Sequence, residues 1–291
     1  MIPSKFSYHS PNSLAQAISL MREFDDDGRV ISGGMSLIPA MKLRLIQPDH
    51  LIDIGKLKEL RYIRNKSGVI SIGASTTYRD LIDSKLILSR LPILAEAASL
   101  VGDIQVRNRG TIGGSVSHAD PAADIPAVLS ALNARFVLKG GSRSRNLSAK
   151  NFFVDAYETD LQPCEILTEI LIPNLPKNAG SSYIKFANKA SRFAIVGVAA
   201  AAVVSQGNIC EYIRISVTGA GPKPQRLYKT ENYLKAKTVS LLRINTAIEK
   251  SLKDIELISD IHGSEEYRLH LTKVISSRAC QLAVERSRQV N

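Results

Sequence analysis

Apolar and polar residues follow both helical and strand periods along this chain, and together they predict a mixed α and β protein. Apolar residues recur at helical spacing from Leu14 to Met21, which predicts an amphipathic helix over residues 10–24 with Ser10 as its cap and Pro11 at its first position. The same reasoning predicts further helices over residues 37–43, 92–101 and 121–133 (capped by Asp120), and a last helix that begins after Ser264.

Short apolar runs between turn residues predict the strands. They cover residues 30–31, 51–54, 69–74, 135–139, 165–172, 183–187, 194–204 and 212–218. Gly140-Gly141 and the polar stretch after it predict a hairpin turn. A cluster of Pro, Asn and Gly at residues 173–180 predicts a boundary between two domains, residues 1–175 and residues 180–291.

Two glycine pairs are the strongest local signal for a ligand. Gly33-Gly34 follows a predicted strand and precedes a short helix, and Gly113-Gly114 follows Thr111 in the second half of the same predicted domain. Phosphate oxygens approach backbone N–H groups most closely where no Cβ intervenes. We therefore predict that the two pairs form two runs of free N–H groups around a pyrophosphate, although each pair also suits a simple tight turn.

Composition excludes several classes of protein. No apolar run reaches the roughly 18 residues of a membrane-spanning helix, and the N-terminal residues lack the apolar core of a signal peptide. The three cysteines are scattered, which argues against an iron–sulfur cluster or a structural zinc site and favours a reducing compartment such as the cytoplasm. No spacing predicts a metal site of any other kind.

Positive charge is concentrated in the second half of the chain. The net charge of +11 divides into +2 for residues 1–175 and +9 for residues 176–291. Such a surface suits nucleic acid, a phosphorylated ligand or an acidic protein, and it also suits a solvated basic face. The basic half lacks the interleaved aromatic residues of a protein that binds single-stranded nucleic acid.

Several stretches closely resemble one family in order along the whole chain. The most specific of them contains the second glycine pair and the acidic residues that follow it. The matching stretches are ISGGMSLIPAMKLR, LIDIGKLKEL, IGASTTYRDL, QVRNRGTIGGSVSHADPAADIPAVLSAL, YIKFANKASRFAIVGVAA and GAGPKPQR. On these stretches the chain resembles the FAD-binding medium subunit of the molybdenum hydroxylases. This is the family of carbon monoxide dehydrogenase, xanthine dehydrogenase and aldehyde oxidoreductase.

The resemblance implies an α+β fold. An FAD-binding domain of the PCMH type, similar to vanillyl-alcohol oxidase and built of two subdomains, would precede a C-terminal domain with a small antiparallel sheet and a helical bundle. It also implies that FAD is carried by this chain. A large partner subunit would hold the molybdopterin cofactor and a small one two [2Fe–2S] clusters, in a dimer of heterotrimers.

The resemblance also implies which residues bind FAD. The pyrophosphate would lie between the two glycine segments, an acid of the second segment would contact FAD, and the lysine of YIKF would lie near the flavin ring. The implied residues are Ser32, Gly33, Gly34, Met35, Ser36, Leu37, Thr111, Ile112, Gly113, Gly114, Ser115, Asp124, Leu167 and Lys185.

The chain departs from the family pattern at a few positions. Met35 stands where a hydrogen-bonding side chain is usual, and Ser115 stands where Asn is usual. After YIKF the chain has Asn188, Lys189 and Arg192 instead of a segment that often ends in an acid, which adds positive charge near the flavin side of the boundary.

The expected function is electron transfer without chemistry on the organic substrate. Electrons would pass from the [2Fe–2S] clusters of a partner through FAD to an external acceptor, and no residue of this chain would be catalytic. One alternative is a self-sufficient flavin-dependent oxidoreductase of the same fold, with His118 or Lys185 as its acid or base. The other is a basic module that binds nucleic acid and no flavin.

Overall fold

The computed structural model describes residues 1–141 and 143–290, which form three larger sheets, a two-stranded ribbon and twelve α-helices in that part of the chain. Two residues of predicted features lie outside the described residues: Ser142, in the predicted hairpin turn, and Asn291, the last residue of the predicted second domain.

The N-terminal subdomain packs one amphipathic helix on a small parallel sheet. Its elements are β1 (Ser7–His9), α1 (Leu14–Phe24), β2 (Gly28–Ile31), α2 (Leu37–Lys42) and β3 (His50–Asp53). The central strand β3 pairs in parallel with β1 and β2. Leu14, Ala17 and Ile18 of α1 form a core with Ile52 and Ile54, as their helical spacing predicts.

The predicted start of the first helix was wrong by one turn. The helix begins at Leu14, and its N-cap is Ser13, whose hydroxyl accepts a hydrogen bond from the N–H of Gln16 at 3.2 Å. Ser10 and Pro11 precede the helix, because a second Ser nearer the first buried apolar residue satisfies the free N–H groups better.

The second subdomain combines a five-stranded antiparallel sheet with a layer of short helices. The sheet has the order β4-β5-β10-β6-β7, and α5 and α8 supply much of the core over it. Its elements are β4 (Ile63–Lys66), β5 (Val69–Gly73), α3 (Tyr78–Asp83), α4 (Lys85–Arg90), α5 (Pro92–Leu100), α6 (Ile104–Arg109), α7 (Ile112–His118), α8 (Asp124–Ala131), β6 (Arg135–Gly140), β7 (Arg143–Ser148), α9 (Ala149–Phe152), β8 (Phe153–Asp155), β9 (Glu158–Thr159) and β10 (Ile166–Pro173).

The segment around the second glycine pair differs from its prediction. Gly113 and Gly114 lie in the first turn of α7, whose N-cap is Thr111 and whose C-cap is Ala119, with φ +49°. The next helix, α8, begins at Asp124 instead of residue 121 and ends before residue 133. Asp120 does not cap it, because its carboxylate accepts the N–H of Ala122 in a turn at 2.8 Å.

The C-terminal part of the chain is an antiparallel sheet covered by helices. The strands β11 (Gly180–Ala187), β12 (Ala194–Val204), β13 (Cys210–Thr218) and β14 (Gln225–Arg226) pair in sequence order, and α10 (Tyr228–Leu234), α11 (Leu241–Leu252) and α12 (Glu265–Val290) follow. All eleven residues of β12 are buried, since α12 contacts β12 and α8 of the second subdomain also packs on it. Burial on both faces explains its uninterrupted apolar sequence.

The predicted division of the chain between residues 175 and 180 stays a prediction. Residues 174–179 contain neither helix nor strand. The two parts on either side are joined by more than this linker, because α8 contacts β12 and β13 while α5 contacts β11. The junction between them forms one wall of the cleft described next.

Candidate functional site

A cleft of about 650 Å³ runs between the two N-terminal subdomains and reaches the loop between β11 and β12 of the C-terminal sheet. Its volume lies in the range of small-molecule and cofactor sites. Twelve of the fourteen predicted site residues line it: Ser32, Gly33, Gly34, Met35, Ser36, Leu37, Thr111, Gly113, Gly114, Ser115, Asp124 and Leu167. The other two, Ile112 and Lys185, are not in its lining; Ile112 is fully buried beneath it.

The first glycine pair presents unused backbone donors to the cleft. Gly34 adopts φ +75°, a conformation that glycine takes without strain. Over residues 33–36, the N–H groups have no hydrogen-bond acceptor within the described part of the chain. Gly33 also has a packing role, because a Cβ there would clash with the backbone carbonyl of Arg109. The residue thus brings the first segment against the chain that leads into the second.

The prediction of a second run of free N–H groups was wrong. The N–H of Ile112 donates to Thr76 O at 2.9 Å, that of Gly113 to Ala74 O at 2.9 Å, and that of Gly114 to the Thr111 hydroxyl at 3.1 Å. These bonds exist because the segment opens a helix against the end of β5. The second segment therefore offers a ligand bare backbone surface and hydroxyl groups, and only the first offers free N–H donors.

The two glycines of the second pair have different environments. A Cβ on Gly113 would lie 2.5 Å from the Cβ of Ala74, so this glycine is required by packing. A Cβ on Gly114 would meet only the Thr111 hydroxyl, at 2.8 Å, and would otherwise face open space. Gly114 is therefore the position at which the missing side chain leaves room in the cleft.

Asp124 reaches the cleft from the first position of α8 and is held by the C-terminal sheet. Its Oδ1 accepts a hydrogen bond from the Tyr183 hydroxyl at 2.5 Å, and its Oδ2 pairs with the Lys185 ammonium at 2.9 Å. The side chains of Asp124 and Lys185 are each 5% exposed. Burial raises the pKa of Asp124, and the Lys185 charge and the Tyr183 hydroxyl oppose that shift.

Lys185 uses its donors within the protein. Besides Asp124, its ammonium donates to Leu100 O at 2.8 Å and to Arg192 O at 2.7 Å. A lysine has three donor protons, and all three are thereby occupied. The contact of Lys185 with a cofactor stays a prediction, and the geometry gives this side chain a separate role: it joins Asp124, the end of α5 and the β11–β12 hairpin.

The loop between α7 and α8 depends on the C-terminal sheet for its backbone partners. The Thr218 hydroxyl lies 2.8 Å from both Pro121 O and Ala123 O, and the N–H of Gly219 donates to Pro121 O at 2.8 Å. The N–H of Ala194 donates to Ala122 O at 3.3 Å. These bonds fix the segment that delivers Asp124 to the cleft.

Residues not predicted from the sequence also line the cleft, towards its two ends. At the end nearest the C-terminal domain, called the C-terminal end of the cleft below, they are Tyr78, Val101, Gly102, Val106, Ser191 and Phe193. At the other end they are Met21, Arg29, Val30, Leu161, Glu165 and Ile166. Tyr78 had a signal, since it lies in the matching stretch IGASTTYRDL, directly after Thr77, the N-cap of α3. Burial raises the pKa of Tyr78 to about 12, so its hydroxyl remains protonated near neutral pH.

His118, a candidate acid or base, also lines the cleft. Its ring centroid lies 5.2 Å from that of Tyr157, and Asp120 lines the same wall. The pKa of Tyr157 is raised by partial burial and by the negative charge of Asp120. Lys185, the other candidate, is not in the lining of the cleft.

Comparison with known proteins agrees with this architecture. A family model described as "FAD binding domain in molybdopterin dehydrogenase" matches residues 4–175, and one described as "CO dehydrogenase flavoprotein C-terminal domain" matches residues 181–283. The chain belongs to the FAD-binding medium subunits of the molybdenum hydroxylases. The fold is accordingly an FAD-binding domain followed by a C-terminal flavoprotein domain, as the resemblance implied, and the chain is a subunit of an oxidoreductase.

Relatives cover nearly the whole of this medium subunit. The carbon monoxide dehydrogenase medium chain of Hydrogenophaga pseudoflava is 38% identical over 97% of this chain and 98% of its own length. The glyceraldehyde dehydrogenase medium chain of Sulfolobus acidocaldarius is 37% identical over 96% and 98%. A solved structure of the Hydrogenophaga carbon monoxide dehydrogenase superposes with a TM-score of 0.95, covering 98% of this chain and 99% of the other at 38% identity.

The cleft of this medium subunit fits FAD. Four free N–H groups suit the negative charges of a pyrophosphate, the bare surface at Gly114 leaves space beside it, and apolar side chains at both ends suit flat rings. In the described residues there is no group of three or more His, Cys, Asp or Glu side chains that could hold a metal ion. No helix there is long and apolar enough to cross a membrane.

Proposed function

We propose that this chain transfers electrons as the flavoprotein subunit of a molybdenum-containing hydroxylase. Electrons would arrive from the [2Fe–2S] clusters of a small partner subunit and leave for an external acceptor, while a large subunit with a molybdopterin cofactor would act on the organic substrate. The observation that carries the proposal is the pairing of free N–H groups at residues 33–36 with the open surface of Gly114 in one cleft.

We propose a single orientation for FAD. The pyrophosphate lies between residues 33–36 and Gly114, where N–H donors and hydroxyl groups replace water. The flavin ring lies at the C-terminal end of the cleft, beside Val101, Gly102 and the β11–β12 hairpin, and Asp124 accepts a hydrogen bond from a ribityl hydroxyl. When bound, FAD supplies the electron chemistry, and the chain supplies its position and its electrostatic environment.

The remaining predicted contacts fit this orientation. We retain as proposed FAD contacts the twelve predicted residues that line the cleft, including Met35 through its backbone N–H and Leu167 through its apolar side chain. The Ile112 side chain has a supporting role instead, because it is fully buried beneath the cleft. No side chain of this chain is assigned to chemistry on the organic substrate.

The proposed assembly is a dimer of heterotrimers in a reducing compartment, the cytoplasm. Names of relatives support the subunit role: one is the "Nicotine 6-hydroxylase medium subunit" and another the "6-hydroxypseudooxynicotine dehydrogenase complex subunit alpha", both of Paenarthrobacter nicotinovorans. The three cysteines, Cys164, Cys210 and Cys280, are free thiols, as a reducing compartment would keep them.

A visible absorption spectrum tests the proposal. The chain is purified alone and after co-expression with the genes next to its own, and flavin and iron are counted per chain. One flavin per medium chain in the co-purified complex, with iron–sulfur absorption in the same fractions, is the expected result. A colourless complex would refute the FAD site. A flavin-loaded chain that oxidises a substrate without any partner would replace the subunit role with that of a self-sufficient flavoenzyme.

A further inference from the structure

The β11–β12 hairpin brings a cation to the cleft at the end assigned to the flavin ring. Arg192, in this hairpin, lines the cleft together with its neighbours Ser191 and Phe193. The residue is exposed and no carboxylate lies within 4 Å of its guanidinium in the described part of the chain. Its guanidinium is thus not held in an ion pair within the described part of the chain.

Arg192 is held in place by specific hydrogen bonds. Its backbone has φ +63°, a conformation that a non-glycine residue keeps only where its surroundings enforce it. Its carbonyl accepts the Lys185 ammonium at 2.7 Å, and its N–H donates to Asn188 O at 2.9 Å. The guanidinium donates to Gly102 O at 3.1 Å, which aims the side chain across the cleft wall.

The charged groups around Arg192 leave an excess of positive charge at this end of the cleft. Arg107 donates to Val101 O and Gly102 O at 3.0 Å each, so a second guanidinium lies at the same carbonyl. Asp103 is an acid that interacts with both guanidinium groups, and Lys185 offsets the charge of Asp124. The charges at this end of the cleft therefore sum to a net positive value, and Arg192 is the cation among them that lines the cleft.

We propose that Arg192 is the cation that stabilises the reduced flavin in this subunit, and that Lys185 acts behind it by holding the hairpin and Asp124 in position. The inference rests on the proposed function, because it needs the flavin ring at this end. Two-electron reduction with uptake of one proton leaves one negative charge on the ring, and the electrons come from the partner's clusters. A nearby guanidinium favours that charged form over the neutral oxidised one.

Potentiometry on the FAD-loaded complex tests the inference. The flavin midpoint potential is measured against reference dyes for the unchanged protein, Arg192→Gln, Arg192→Lys and Lys189→Gln. Lys189 is a matched control, because it is an exposed cation of the same hairpin that does not line the cleft. We expect Arg192→Gln to lower the equilibrium constant for reduction about tenfold, which is about 30 mV towards negative potential for two electrons.

The controls separate a charge effect from a structural one. Arg192→Lys keeps the charge, so we expect it to recover most of the potential, while Lys189→Gln stays close to the unchanged protein. Equal potentials for Arg192→Gln and Lys189→Gln would overturn the inference, as would a loss in Arg192→Lys as large as in Arg192→Gln. Flavin content distinguishes this failure from that of the proposed function, since a complex that never holds FAD refutes the site itself.

Discussion

Replacing Lys185 with Met tests the junction between the two domains. The change keeps much of the side-chain volume and removes the ammonium from a pair in which both side chains are 5% exposed. Removing one partner of a buried ion pair leaves the other charge uncompensated, which costs about 3–5 kcal/mol. Solvent screening reduces this figure little, because each of the two side chains is only 5% exposed. The Leu100 and Arg192 carbonyls lie at exposed sites, where water replaces the lost donor.

The cost of Lys185→Met should depend on pH. Burial already raises the pKa of Asp124 in the folded protein, and loss of the neighbouring cation raises it further. A carboxyl whose folded pKa exceeds its unfolded value of about 3.9 holds its proton more tightly when folded. Its contribution to stability is therefore present at low pH and is lost as pH rises through the folded pKa. We expect the variant to be closer to the unchanged protein at pH 5 than at pH 8.

Urea unfolding of the purified chain at pH 5, 6, 7 and 8 measures both effects. Lys189→Met serves as the matched control, since it removes an exposed cation of the same hairpin, and it should change the unfolding free energy by less than about 0.5 kcal/mol. Asp124→Asn and the double variant complete a cycle in which the two changes should not add. A cost below about 1 kcal/mol for Lys185→Met, typical of an exposed pair, would refute the reasoning.

Three further outcomes follow from other contacts. Gly113→Ala forces a methyl carbon against Ala74, so calorimetry should show a destabilisation of about 1–3 kcal/mol; an unchanged melting temperature would contradict the packing role. Gly114→Val places its side chain in open space apart from the Thr111 hydroxyl, which caps α7, so the apo chain should unfold within about 1–2 kcal/mol of the original. The same variant should lose FAD on gel filtration, and retention of stoichiometric FAD would contradict the placement of the cofactor. Gly207→Val, also in open space but away from the cleft, is the control. Burial raises the pKa of Asp80, but hydrogen bonds from Arg61 and Thr77 outweigh burial and lower the pKa overall. The contribution of Asp80 to folding stability is therefore present above about pH 4 and is lost below it. Asp80→Asn should make the stability fall less steeply towards acid pH, and the same acid dependence in both proteins would contradict this.

Apolar periodicity predicted those elements whose own sequence carries a clear apolar pattern. The helix that contains Leu14 and Ile18 and the buried strand β12 lie where the apolar pattern put them. The helix α7 was missed because Ile-Gly-Gly is a poor helix former. It forms because Thr111 caps it and the end of β5 accepts its first N–H groups, and those partners lie elsewhere in the sequence.

The resemblance located the cleft better than it assigned the roles of side chains. It brought both glycine pairs and Asp124 to one site, but backbone hydrogen bonding at Gly113 and the occupation of Lys185 depend on contacts between distant segments. Lys185 and its partner Asp124 are 61 residues apart. No local pattern reports whether such a side chain faces a ligand or another residue of the protein.

The hydrogen bonds between the α7–α8 loop and the C-terminal sheet also constrain the biosynthesis of the subunit. The carbonyls of Pro121, Ala122 and Ala123 find their donors in residues 194–219, which leave the ribosome at least 70 residues later. A nascent chain that ends at the domain boundary has the glycine pairs but lacks the partners that fix Asp124. We therefore expect the cleft to be completed only after residue 219 has been synthesised, and FAD to bind stably only to a chain that contains residues 194–219.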